Sequence, residues 1–98
     1  MKRWFGLFSV LFLSLPALGH SVTLTWKPEP KAEQYIVYRA TGDDAYEEIA
    51  DLPASASSFQ DKSVTGGGQY CYEVQWVARG YAGYVGKPIC VEVPRDKK

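Results

Sequence analysis

Apolar and polar side chains alternate with a period of two along most of the chain from residue 20 onward. Alternation of this kind is typical of strands that bury one face, whereas amphipathic helices repeat every 3.6 residues. Gly, Pro and Asp separate the alternating segments and indicate turns. The pattern therefore predicts short strands at 21–26, 35–39, 46–52, 57–61, 70–78 and 84–93. Short antiparallel strands at such regular spacing predict an all-β sandwich.

The alternation assigns the residues of each strand in turn to the predicted core (inward parity) or to the predicted outer face (outward parity). Large aromatic residues with inward parity are expected to pack in the core, because they bury the most apolar area. These residues are Trp26, Tyr35, Tyr70, Tyr72 and Trp76. The 57–61 strand offers only Phe59 as an inward-facing residue.

The start of the chain has the character of a secretory signal peptide. Lys2 and Arg3 form a basic start, an apolar run follows from Trp4 to Leu15, and small residues lead to Gly19. The run is shorter than the roughly 20 residues that span a bilayer, which favours a cleaved signal over a membrane anchor. We therefore predict export to the periplasm or cell exterior, with a cleaved signal at 1–19, a domain at 20–94 and a polar tail at 95–98.

The charge balance argues against two classes of partner. The chain carries 11 Lys and Arg against 11 Asp and Glu, and loss of Lys2 and Arg3 with the signal leaves a small acidic excess. Nucleic-acid binding calls for a concentrated basic face, and anionic membrane surfaces attract basic clusters. We expect no nucleic-acid partner and no membrane insertion after signal cleavage.

Cys71 and Cys90 are the two cysteines of the chain. An even number of cysteines in an exported protein suggests a disulfide. With the parity given above, both face outward from two consecutive strands. Pairing them across a hairpin centres its turn on Gly80-Tyr81, where a glycine is available. We therefore predict a structural Cys71–Cys90 bridge on the outer face, which stabilises the fold by roughly 3 kcal/mol.

Taken together, these segments resemble the fibronectin type III family, in the form common among exported bacterial proteins. The segments 21–26 and 35–39 resemble its second and third strands, and 70–74 resembles the strand after its tyrosine corner. Val64 and Tyr70 have the spacing of that corner, although valine replaces the usual leucine and three glycines replace the usual loop. The resemblance implies an immunoglobulin-like antiparallel β-sandwich in which the Tyr70 hydroxyl bonds a backbone group. It also implies a first strand that is short or missing, and a binding, spacer or adhesion module rather than an enzyme.

Candidate catalytic and metal-binding residues are scarce. His20 is the single histidine, so any Ser-His-Asp set depends on it, and Cys and His together are too few for a zinc site. As the N-terminal residue after cleavage, His20 could chelate copper, but sandwich-fold copper oxygenases use a second histidine as well. The adjacent Glu47-Glu48 pair points to opposite faces of a strand and cannot act on one substrate. We predict no catalytic residue, no metal and no cofactor.

Outward parity groups several apolar residues into a predicted contact surface. It combines the outer sheet face with the tip of the last hairpin, and comprises Ile36, Tyr38, Val77, Tyr81 and Tyr84. An apolar outer face beside exposed tyrosines is a candidate surface for protein or glycan contacts. The leading hypothesis is a non-catalytic interaction or adhesion module that binds a protein partner there. The alternatives are a carbohydrate-binding module that uses the exposed tyrosines, a copper-binding protein built on His20, and self-association through an open sheet edge.

Overall fold

The computed structural model describes the backbone of residues 12–14 and the whole of residues 20–95. In that part of the chain, no helix has the length and apolar character needed to cross a membrane. The strands are β1 (Phe12–Ser14), β2 (Val22–Thr25), β3 (Gln34–Thr41), β4 (Glu47–Pro53), β5 (Ser58–Asp61), β6 (Gln69–Ala78) and β7 (Tyr81–Glu92).

The strands form two antiparallel sheets. One sheet has the order β1-β2-β5 and the other has the order β4-β3-β6-β7. The strands predicted from the alternation correspond to β2 through β7, so the all-β antiparallel sandwich is confirmed. Consecutive strands β3 and β4, and β6 and β7, pair as hairpins, whereas β3 and β6 pair across the chain.

The core lies between the two sheets and follows the period-two pattern. Alternate residues of β2, Val22 and Leu24, are fully buried. The four-stranded sheet contributes further fully buried side chains, which are Tyr35, Val37, Tyr72, Val74 and Val85. Full burial of one Val or Leu side chain stabilises a fold by about 1.5–3 kcal/mol, so this layer is the main source of stability.

Aromatic side chains close the core at its ends. Trp26 is buried, and its ring lies 5.4 Å from the ring of Tyr35. Tyr70 is buried at the opposite end of β6, whereas Trp76 is half-buried and packs against the margin of the core. Phe59 packs there in the same way, but it is not the only inward-facing residue of β5, because Asp61 is also buried.

The first strand is present and short. β1 has three residues and pairs antiparallel with β2, with Leu13 opposite Leu24. A short first strand agrees with the fold predicted from the resemblance. β1 lies inside the segment predicted as a cleaved signal, and cleavage after Gly19 remains a prediction.

The β6–β7 hairpin contains a register shift that the sequence interpretation did not include. Cys71 lies opposite Cys90, as predicted, but Val74 lies opposite Val85 and Ala78 lies opposite Tyr81. The three residues 86–88 of β7 therefore face a single residue of β6. The predicted turn at Gly80-Tyr81 was wrong, because it assumed one continuous register. The turn is Arg79-Gly80, where Gly80 adopts a φ of 84°.

Candidate functional site

Four residues of the predicted contact surface lie on the outer face of the four-stranded sheet. Ile36 and Tyr84 lie on either side of Gln75 on β6, and cross-strand neighbours point to the same face. Tyr38 and Val77 lie on the same face by strand alternation. Three of the four are half-buried, whereas Tyr84 is 60% exposed. The sheet therefore presents an apolar outer face that ends in an exposed tyrosine.

Tyr81 does not belong to this surface. Its ring lies edge-on to Trp76 at 5.7 Å between centroids, with the Lys31 ammonium 6.0 Å from the Tyr81 centroid. Tyr81 and Tyr84 lie an odd number of positions apart on β7, so they point to opposite faces of the sheet. Tyr81 points to the same face as the buried Val85. The prediction that grouped Tyr81 with Tyr84 was wrong on this point, because the turn ends before Tyr81 and makes it a strand residue.

A cleft opens on the outer face beside Tyr84. It has a volume of about 350 Å³ and is lined by Tyr38, Tyr46, Glu73 and Tyr84. Tyr38 lies directly opposite Glu73 on the neighbouring strand, and Tyr46 immediately precedes β4. Tyr46 is 43% exposed. Three tyrosines and one glutamate thus line a concave part of the outer face.

Glu73 is the charged residue of the cleft. Its Oε2 atom is closed off from solvent, and no donor among residues 20–95 lies within hydrogen-bonding distance of it. Burial disfavours the charged form of the carboxyl and raises the pKa of Glu73 above its usual value. When ionised, Glu73 therefore carries negative charge on an oxygen that has no hydrogen-bond donor among residues 20–95.

Tyr38 is held in place on the floor of the cleft. Its hydroxyl donates a hydrogen bond of 3.0 Å to Oε1 of Gln75. Glu48 lies opposite Tyr38 on the other side, at the β4 edge of the sheet, and is exposed. Tyr38 is thus flanked by a glutamate on each neighbouring strand.

Sequence reasoning missed Tyr46 and Glu73 as members of the site. Glu73 has outward parity between the buried Tyr72 and Val74, so its face was predictable. Its burial was not, and Glu73 lies at the register shift, opposite residues 86–88, which alternation does not reveal. Tyr46 lies before the edge strand β4, where alternation carries little information.

The disulfide lies on the same outer face. Cys71 and Cys90 are bonded with an S–S distance of 2.03 Å and lie directly opposite each other in the β6–β7 ladder. Ala40 of β3 pairs with Cys71 on its other side. The predicted disulfide is confirmed, and it joins the two strands that contribute Glu73 and Tyr84 to the cleft.

Between the sheets lies a second cluster of polar groups, centred on Asp61. This side chain is 3% exposed, and its Oδ2 accepts hydrogen bonds from Arg39 at 2.8 Å and from the Tyr72 hydroxyl at 2.7 Å. Its Oδ1 accepts two more from Ser63, one from the backbone N–H and one from the hydroxyl. Burial alone would raise the pKa of Asp61, but these hydrogen bonds outweigh it and hold the pKa below its usual value.

The same cluster affects the phenol beside it. The pKa of Tyr72 is raised strongly, first by burial and then by its hydrogen bond to the Asp61 carboxylate. Tyr72 therefore remains a neutral donor at physiological pH. Because Asp61 belongs to β5, while Arg39 and Tyr72 belong to β3 and β6, the cluster links the two sheets.

The predicted tyrosine corner is confirmed. The Tyr70 hydroxyl accepts a hydrogen bond of 2.8 Å from the backbone N–H of Thr65, and Val64 is buried beside it. The glycines of the corner loop make room for close packing. A Cβ on Gly68 would lie 2.7 Å from the Tyr70 oxygen, and one on Gly66 would lie 2.8 Å from the His20 ring.

Within residues 20–95, no three His, Cys, Asp or Glu side chains converge as metal ligands would. The His20 ring lies against Gly66, at the end of the sandwich that holds the tyrosine corner. Chemically, the outer-face cleft can offer stacking, hydrogen bonding and one carboxylate.

Comparison with solved structures identifies the architecture. An Fn3-like protein from Clostridium thermocellum superposes with a TM-score of 0.72 at 27% identity, and the match covers 91% of this chain and 93% of that protein. An fn3 domain of human contactin 1 gives a TM-score of 0.73 at 14% identity, covering 90% of this chain and 76% of that one. The chain has the fibronectin type III fold.

The chain is also similar to part of a larger protein. The pectate lyase PelI from Erwinia chrysanthemi, in complex with tetragalacturonic acid, matches with a TM-score of 0.72 at 28% identity. The match covers 85% of this chain but only 28% of that lyase, so the chain spans less than a third of the lyase's length. No family model and no curated protein sequence matches this chain.

Proposed function

We propose that this domain is a non-catalytic interaction module of the periplasm or cell exterior, and that it binds a protein partner through the outer face of its four-stranded sheet. The supporting observation is the cleft between Tyr38, Tyr46 and Tyr84. Tyrosines are enriched at protein interfaces, because they combine a large apolar ring with a hydroxyl.

The scaffold beneath the cleft supports this function. The Cys71–Cys90 bridge ties β6 to β7, and the Tyr38–Gln75 hydrogen bond ties β3 to β6. A preorganised surface loses less conformational entropy on binding than a flexible one. The disulfide and the bacterial Fn3-like relative are both consistent with an exported domain.

Site-specific photo-cross-linking in the native envelope fraction tests the proposal. A photoreactive amino acid at position 84 is expected to give a discrete cross-linked product, whereas the same group at the exposed Lys62, outside the outer face, is not. Addition of unlabelled wild-type domain should suppress the product, and addition of the Tyr84→Ala domain should not. Equal products at both positions, or none at position 84, would contradict the proposal.

Carbohydrate binding is the second candidate, favoured by the exposed tyrosines and by the similarity to part of PelI. A glycan array distinguishes it from protein binding. The carboxylate of Glu73 repels polyanionic sugars, so a neutral glycan is the expected ligand under this alternative. Retention of a glycan by wild type, and its loss in Tyr84→Ala but not in Tyr81→Ala, would replace the protein-binding proposal.

A further inference from the structure

The outer-face cleft combines two groups that attract cations. The faces of aromatic rings carry negative electrostatic potential and attract ammonium groups within about 6 Å. Glu73 adds a carboxylate to the rings of Tyr38, Tyr46 and Tyr84. No Lys or Arg among residues 20–95 lines the cleft.

The partly buried Glu73 carboxylate indicates that the cleft lacks a positively charged group. A buried charge without a partner is costly, and protein interiors normally neutralise such a charge with a cation or with hydrogen bonds. The Oε2 atom has neither among residues 20–95. Glu73 lines the cleft, so a cation that enters it lies close to this carboxylate and offsets its charge, and this attraction adds to the contact with the rings.

The surroundings of the cleft are also acidic. Glu48 lies opposite Tyr38, and Asp51 lies opposite Ile36, where it accepts a hydrogen bond from Gln34. Both carboxylates belong to β4 and are exposed. β7 contains one basic residue, Lys87. Lys87 belongs to the segment opposite Glu73, but it does not line the cleft. The field over this part of the sheet therefore favours a positively charged group.

We infer that the cleft formed by Tyr38, Tyr46, Glu73 and Tyr84 is a cation subsite that receives the ammonium group of a lysine side chain of a protein partner. This inference rests on the proposed function and adds the chemistry of the partner. The tyrosine rings enclose the methylene stem and the ammonium, and Glu73 forms the ion pair. A uronate sugar is disfavoured, because its carboxylate faces Glu73, and a neutral sugar leaves the charge of Glu73 unbalanced.

The direct test is a titration followed by backbone amide NMR of the purified exported protein. The probe is N-acetyl-lysine N-methylamide, and N-acetyl-norleucine N-methylamide serves as its uncharged isostere. The lysine probe is expected to give saturable shifts at Tyr38, Glu73 and Tyr84, and the norleucine probe is not. Equal shifts from both probes, or no saturable shift from the lysine probe, would overturn the inference.

Matched variants identify the residues responsible. Glu73→Gln should weaken binding of the lysine probe roughly tenfold, the effect of losing one charge-assisted contact. Glu92→Gln, on the same sheet at its far end, should leave binding unchanged. Tyr84→Ala should weaken binding severalfold, whereas Tyr81→Ala, which alters a similarly exposed tyrosine on the other face, should not. Equal effects of Glu73→Gln and Glu92→Gln would show only general charge attraction and overturn the subsite.

The variants also separate this inference from the proposed function. If the Glu73→Gln variant gives the position-84 cross-link in unchanged yield, the protein-binding surface is retained and the lysine subsite is overturned. A lysine probe that binds normally, without any position-specific cross-link, would overturn the protein-binding function instead. Glu73→Gln removes an unpartnered charge, so loss of folding is not expected to confuse either result.

Discussion

Two carboxylates in this domain occupy opposite electrostatic situations. Asp61, between the sheets, accepts four hydrogen bonds from Arg39, Tyr72 and Ser63, and its pKa is lowered. Glu73, on the outer face, has an oxygen without a donor among residues 20–95, and its pKa is raised. Burial acts in the same direction on both, so the hydrogen-bond partners decide the difference. Asp61 is suited to stabilise the fold, and Glu73 is suited to bind a cationic group of a partner.

The largest expected effect comes from removing the partnered carboxylate. Asp61→Ala leaves the Tyr72 hydroxyl without its acceptor and the Arg39 guanidinium without its carboxylate partner, and should lower the free energy of unfolding by about 3 kcal/mol. Guanidinium denaturation measures the change. Glu47→Ala, an exposed carboxylate on β4, should stay within about 0.5 kcal/mol of wild type. A loss for Asp61→Ala as small as that of the control would remove the contrast between the two carboxylates.

Opening the disulfide should have a comparable but slightly smaller effect. The double variant Cys71→Ala with Cys90→Ala is expected to lose about 2–3 kcal/mol of unfolding free energy, because the unfolded chain regains the freedom of the closed loop. The bridge touches neither carboxylate, so the opposite signs of the Asp61 and Glu73 substitutions should persist in this background. A change of sign would mean that the outer face rearranges without the bridge.

Removing the unpartnered carboxylate should have the opposite sign. Glu73→Gln replaces the charge by a neutral group of the same shape, and should raise the free energy of unfolding at pH 7 by up to about 1 kcal/mol. Thermal unfolding of the variant beside wild type and Glu92→Gln measures the gain. Destabilisation by Glu73→Gln would show that Glu73 makes a favourable interaction in the free protein.

The two carboxylates should also separate in pH dependence. The lowered pKa of Asp61 stabilises the fold above pH 3.8, and this contribution is lost as the pH falls through the folded-state pKa below that value. The raised pKa of Glu73 favours the fold below pH 4.5, and that contribution is lost as the pH rises through its folded-state pKa. The advantage of Glu73→Gln over wild type should therefore appear only above about pH 4.5 and then level off. Denaturation midpoints measured across this range provide the test, and an advantage that is constant with pH would contradict it.

The sequence predicts the strands and core of this domain better than its clusters of polar side chains. Alternation predicted β2 to β7 and the inward side of Tyr35 and Tyr72, and the resemblance of the Val64–Tyr70 spacing to the fibronectin type III family predicted the tyrosine corner. These features depend on local periodicity and on short separations along the chain, which one sequence contains.

The polar clusters depend on neighbours that are distant along the chain. A charged residue at the end of a four-residue strand, such as Asp61, is typical of a solvated turn. The sequence alone does not predict its burial, because its partners Arg39 and Tyr72 belong to other strands. The cleft was predicted only in part, through Tyr38 and Tyr84. Glu73 lies opposite the extra residues 86–88, which period-two counting cannot place.

The Cys71–Cys90 bridge also bears on the order in which the molecule assembles. The two cysteines are 19 residues apart and belong to one hairpin, whereas the pairing of β3 with β6 joins more distant residues such as Gln34 and Val77. Closing a short loop costs less entropy than closing a long one, so the hairpin can form and oxidise early. Once the bridge is closed, β6 and β7 remain paired while the rest of the chain folds. Glu73 and Tyr84 are then adjacent before the core is complete.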